Sequence, residues 1–147
     1  MTAFIFLLQV AATLFMVGLI WFVQIVHYPL FEQVNAENFA KYEDGHRRLT
    51  IMVVMPVMLV EAGTAVLLVW LRPEGVSTFQ VWLGLGLVLL IWLSTAYLQV
   101  PQHSILSRGF DPEAYRFLLK SNWLRTLAWS VRGILVLWMV AGVAGLF

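Results

Sequence analysis

The stretch MTAFIFLLQVAATLFMVGLIWFVQIVHYPLF, Met1–Phe31, contains no Asp, Glu, Lys or Arg. About 20 consecutive apolar residues are enough for a helix to cross a bilayer. A membrane-spanning helix is therefore expected over residues 3–31. No basic leading region or small-residue cleavage site precedes the first polar segment, so the stretch is read as a retained span and not as a removed signal peptide. Three more apolar stretches follow, Thr50–Leu71, Phe79–Val100 and Asn122–Phe147. Each has the length of one crossing. The expected fold is all-α: one integral membrane domain over residues 1–147, built as a four-transmembrane-helix bundle.

Composition supports this. Of 147 residues 61% are hydrophobic and 12% charged, whereas soluble domains carry about 25% charged residues. The formal net charge of +1 excludes a nucleic-acid binder, which needs a concentrated basic field to neutralise phosphates. The absence of cysteine removes disulfides, iron–sulfur clusters, cysteine zinc sites and thiol nucleophiles together. Any chemistry must use His, carboxylate, Tyr, Arg or a bound cofactor.

Orientation follows from where the cations fall, because Lys and Arg accumulate in short cytoplasmic loops. Lys41, Arg47 and Arg48 lie between the first and second helices, and Arg108, Arg116 and Lys120 between the third and fourth. The middle loop, Arg72–Thr78, contributes only Arg72 and reads as a Pro/Gly connector. A multi-pass protein of the cell inner membrane with both termini outside is expected. In the two cytoplasmic loops, Asp111-Pro112-Glu113 and, more weakly, Asn35-Ala36-Glu37 carry helix-start signals. Each is expected to open a short interfacial helix. A displacement of 76 positions lays His27 on His103, Asn35 on Asp111, Glu37 on Glu113, Phe39 on Tyr115 and Thr50 on Thr126. That echo implies two similar hairpins related by an axis along the membrane normal.

All three histidines fall at one depth in this topology: His27 near the inner end of the first helix, His46 before the second, His103 after the third. A single imidazole there is readily satisfied by headgroups and water; three on one side point to a shared site. Charges inside spans are costly and usually face a partner in the bundle. Glu61 and Arg132 are such charges, both near mid-bilayer, and are expected to pair, either for function or simply to fix packing.

Asn122, Arg125, Trp129 and Arg132 form one stripe on the fourth helix. Trp92, Thr95, Gln99 and His103 on the third, and Trp21, Gln24, His27 and Tyr28 on the first, form comparable seams. These seams are expected to meet in a polar pocket in the cytoplasmic half. His27, His46 and His103 form a plausible ligand set for a transition metal, and one imidazole could hold haem iron. Tyr28, Gln99, Asn122 and His46 are the expected cofactor-binding groups. Gly84-Leu85-Gly86 lies inside an apolar helix and reads as close packing. Trp70, Trp82 and Trp138 read as an outer interface belt.

Gly18-Leu19-Ile20-Trp21, His27-Tyr28-Pro29, Val100-Pro101 with His103, and Asn122-Trp123-Leu124-Arg125 resemble the anthrone-oxygenase-like family of small four-helix membrane proteins. The resemblance implies oxygen insertion into, or oxidation of, a phenolic or polycyclic compound, with His27, His103, Asn122 and Arg125 as its carriers. A second resemblance is to the membrane protoporphyrinogen oxidases, through Trp21, His27-Tyr28, Arg48-Leu49 and Pro56-Val57-Met58; the later helices depart from that pattern.

The expected function is an integral membrane oxidoreductase or oxygenase for a lipophilic aromatic or quinone-like molecule. In it His27 and His103 are acid/base groups or ligands and His46 completes the set. Arg125 and Arg132 stabilise negative charge, and Glu61 orients Arg132. The alternative is a non-catalytic subunit or assembly factor binding a partner helix, pigment or lipid. Expected partners are the bilayer, a lipophilic small molecule, and a second copy or partner membrane subunit.

Overall fold

In the computed structural model, which describes residues Met1–Leu146, four long helices account for the apolar stretches. They span Thr2–Gln33, Ala36–Leu67, Thr78–Leu106 and Pro112–Val143, each long and apolar enough to cross a membrane. The chain is thus a multi-pass membrane protein with a helical-bundle fold. Phe147, the end of the last expected stretch, lies outside the described residues.

Both expected start signals open helices, but neither helix stops before the following span. Asp111 accepts from the backbone N–H of Glu113 at 2.9 Å and of Ala114 at 2.8 Å, with Pro112 at the first helical position. From there the helix runs unbroken to Val143, and the second helix likewise from Ala36 to Leu67. The segments expected as separate interfacial helices are therefore the first turns of the second and fourth helices. The physical reason is cooperativity: extending a helix adds one hydrogen bond per residue, no proline separates Lys41 from Thr50 or Arg116 from Asn122, and the single Gly45 costs only about 1 kcal/mol. At 32 residues each, these helices are about 48 Å long. That exceeds the hydrocarbon core of about 30 Å, so their basic first turns project beyond it.

The first and third helices each contain a π-helical turn, Val23–His27 and Thr95–Gln99. Each turn ends two residues before a proline, Pro29 or Pro101. A proline lacks an N–H and its ring collides with the carbonyl four residues back, so the preceding turn widens to accommodate it. The third helix consequently continues past its expected end at Val100 to Leu106. The first finishes in a 3₁₀ turn, Pro29–Gln33. Pro56 leaves the second helix continuous. The hairpins echo one another in their starts, since Thr2 and Thr78, like Ala36 and Pro112, are 76 positions apart.

The first helix packs on the second and the fourth, and the fourth on the third, while the second and third meet only loosely. One end of the bundle carries the two connections rich in Lys and Arg and is called here the basic end. The opposite end carries both termini and the Arg72–Ser77 turn. That turn does more than connect. Gly75 adopts a left-handed φ of +86° and its backbone touches that of Gly142, while Ser77 and Gln80 form a capping box on the third helix. Three apolar clusters fill the interior. Phe31, Phe39 and Tyr115 anchor the basic end; Met16, Ile91 and Trp129 the middle; and Phe6, Leu68 and Met139 the terminal end.

Candidate functional site

Two groups of polar side chains are buried in this bundle. The first surrounds Glu61 and Arg132, which form an ion pair as expected from their place in the spans. Arg132 also donates to the Gly84 carbonyl and, at 3.5 Å, to the Thr13 hydroxyl. Gln9 donates to Glu61 at 3.2 Å and to Thr13 at 3.0 Å, and accepts from the Thr64 hydroxyl at 2.7 Å. A Cβ at Gly84 would stand 3.3 Å from the Arg132 guanidinium, so glycine there permits the close approach. Gly86, by contrast, faces open space and takes no part in packing. A space of about 10 Å³ lies beside Arg132, roughly the room for one water.

The second group lies toward the basic end. The π turn of the first helix delivers His27 and Tyr28, the projecting start of the second delivers Glu43 and His46, and the third helix delivers His103 just after its own π turn. His27 Nε2 is 2.8 Å from His46 Nδ1, which also lies 3.1 Å from the Thr50 hydroxyl. His103 Nδ1 is 2.6 Å from Glu43 Oε1, and its Nε2 is 3.0 Å from the Tyr28 hydroxyl. The rings of His46 and His103 have centroids 5.4 Å apart. The structure thus brings the three histidines together.

Beside this cluster is a cavity of about 210 Å³. Tyr28, His46, Arg47, Thr50, Thr95, Gln99, His103 and Arg125 supply its polar wall, and Met16, Ile20, Val54 and Met58 are among its apolar lining. Ile51 and Met55 on the second helix and Val100 on the third also line it, and all three are exposed on the outer surface. The lining therefore runs to the loose seam between those helices and, through Arg47, toward the basic end. Arg125 is 8% exposed, stands beside the Tyr28 phenol and has no carboxylate within ion-pair distance among the described residues. Its Nε has no hydrogen-bond partner.

Several expected site residues fall elsewhere. Glu61 and Arg132 do not line this cavity. Arg132 is two helical turns beyond Arg125, about 10 Å along the axis, and pairs with Glu61. Asn122 is fully buried away from the cavity, where its amide donates to Gln24 at 2.8 Å and ties the fourth helix to the first. Gln99 does reach the cavity wall, while its amide donates to Ser121 at 3.1 Å. His27 stands behind His46, outside the wall.

Glu43 was not among the expected residues. It is 0% exposed, its Oε1 faces His103, and its Oε2 has no partner. The signal was present as Glu43-Asp44-Gly45-His46, an E-x-x-H spacing that sets both side chains on one helical face. Gln9, Thr13 and Thr64, which surround Glu61, were legible only as isolated polar residues in apolar spans.

Two kinds of chemistry are open to this arrangement. A carboxylate holding an imidazole that in turn meets a phenol is a proton path, running from Glu43 through His103 to Tyr28. An unpaired guanidinium at the mouth of that path can hold an oxyanion. Comparison of the chain with family models, curated proteins and solved structures finds no match in any of the three.

Proposed function

We propose that this protein is an integral membrane oxidoreductase or oxygenase acting on a lipophilic phenolic, polycyclic or quinone-like molecule. The observation that carries the reading is Arg125, a buried cation with no anionic partner, facing a cavity that also presents His103 and Tyr28. A buried charge without a partner is costly. That cost is offset if the ligand supplies or develops a negative oxygen there. The apolar wall suits an aromatic body, and its reach to the seam suits a substrate dissolved in lipid.

For a substrate of anthrone type, which the resemblance to the anthrone-oxygenase-like family suggests, the stoichiometry is one anthrone and one dioxygen giving one anthraquinone and one water. The chain's part is to take the first proton, through Tyr28 and His103, and to hold the resulting enolate oxygen at Arg125. Glu43 keeps His103 oriented. His27 acts through His46, and Glu61 with Arg132 serves packing.

The test is oxygen uptake by the purified protein in lipid nanodiscs with anthrone, and separately with a short-chain ubiquinol. Uptake with quinone formation is expected. His103→Ala should lower it about 10²–10⁴-fold while the protein still inserts. Uptake unaltered by His103→Ala would remove the site from the reaction, and a protein inert to both probes that copurifies with another membrane protein would favour a subunit role.

The basic end is assigned to the cytoplasm and both termini to the outside of a cell inner membrane. Support comes from Lys41, Arg47, Arg48, Arg108, Arg116 and Lys120 at that end against Arg72 at the other. Since the chain has no cysteine, Ser107→Cys and Glu74→Cys can each be labelled alone. An impermeant maleimide applied to intact cells should modify the second and spare the first.

A further inference from the structure

The geometry points to a divalent metal site formed by Glu43, His46 and His103. One ligand atom from each lies within 4.8 Å of the others. Protein–metal bonds of about 2.0–2.2 Å let one ion reach all three once Glu43 Oε1 and His103 Nδ1, 2.6 Å apart as hydrogen-bond partners, separate and the His46 nitrogen moves in.

Two features independent of that proximity indicate a cation. The first is the Glu43 carboxylate, which is completely buried and meets no Lys or Arg among the described residues. A proton on His103 would satisfy its Oε1 at 2.6 Å, but would leave Oε2 bare, as it stands. A metal ion compensates the whole carboxylate. The second is how the outer nitrogens are used. Histidines that bind metal with one nitrogen generally donate from the other to a fixed acceptor. His103 presents Nδ1 to Glu43 and can donate from Nε2 to the Tyr28 oxygen. His46 can donate from Nδ1 to His27 Nε2, which leaves its own Nε2 for the ion. This gives His27 a positioning role that its place behind His46 otherwise lacks.

Two imidazoles and one carboxylate form a set suited to zinc or ferrous iron, with coordination positions left over. His46 and His103 both line the 210 Å³ cavity, so the vacant positions are within reach of whatever enters it. The site rests on ligand geometry and goes beyond the redox reading: with Glu43 and His103 Nδ1 on an ion and His103 Nε2 donating to Tyr28, the metal-loaded state does not carry the Glu43–His103–Tyr28 proton path, which belongs to the metal-free state.

Purified protein in nanodiscs, stripped with a chelator, is titrated with Co²⁺ and followed by visible absorption. One Co²⁺ per chain with saturable d–d bands is expected. Glu43→Gln should weaken binding more than 100-fold, and His27→Ala about 10–100-fold, as for the loss of an outer partner. The wild type alone provides a second measurement that no folding defect can confuse: with Cu²⁺ bound, electron spin-echo modulation should reveal two coordinated imidazoles. Absence of a saturable band in the wild type, an echo lacking imidazole nitrogen, or equal affinity in a folded Glu43→Gln protein would overturn the site. Because the titration uses no substrate, its failure leaves anthrone oxidation untouched, and inactivity toward anthrone leaves the metal site untouched.

Discussion

The bundle buries charge in two places and treats it in opposite ways. Around Glu61 and Arg132 the charges meet, their neighbours supply further hydrogen bonds, and a space of about 10 Å³ lies beside them. Around Arg125 a guanidinium has no anion, Glu43 has a bare oxygen, and about 210 Å³ lies alongside. The same helices evidently suffice to neutralise a buried charge. Where they do not, the missing partner is the feature to explain. The closed pair has its charges met within the bundle; the unmet groups are where the proposal places the ligand.

The contrast is broken most directly at the closed pair. Arg132→Met should cost about 3–5 kcal/mol, since it strands the Glu61 carboxylate in the core. The double variant Glu61→Leu with Arg132→Met should recover most of that loss, because an apolar pair of similar volume replaces both charges. Unfolding in mixed micelles reads both. A neutral Arg132→Met single variant would show that the pair does not fix the packing.

Arg125→Met makes the opposite case. It removes a cation that pairs with nothing, so stability should hold or rise. Anthrone oxidation should fall about 10²–10³-fold, the usual loss when an oxyanion donor is deleted. Destabilisation equal to that of Arg132→Met, with turnover intact, would erase the distinction between the two regions.

The smallest effect is expected at Asn122, which touches neither region. Asn122→Leu leaves the Gln24 oxygen short of a donor and should cost about 1–3 kcal/mol, without altering turnover or Co²⁺ affinity. A selective loss of turnover would place Asn122 in the site despite its burial away from the cavity.

What was legible in the sequence follows the same division. The four spans and the Glu61–Arg132 pair could be read because a charge inside an apolar run has few places to go. Asp111-Pro112-Glu113 could be read because its capping is local. Glu43 was missed despite its E-x-x-H spacing to His46, since Tyr42–Arg48 has the composition of a solvated loop. Only the continuation of the second helix, folded against the 3₁₀ turn of the first and the end of the third, buries that carboxylate. The π turns were hidden for a related reason: Pro29 and Pro101 announce a disturbance, but its form depends on how each helix is held by its neighbours. The convergence of the histidines was inferred from depth alone, and the hydrogen bonds that order them depend on side-chain geometry that depth does not give.

The seam between the second and third helices has one consequence for how the protein must be assayed. On the proposed entry from the side, the cavity samples its ligand by mole fraction in lipid, so the bulk aqueous concentration is the wrong axis. Adding empty vesicles at constant total anthrone should dilute the ligand and slow the reaction, whereas adding buffer at a constant ligand-to-lipid ratio should leave the rate per chain unchanged.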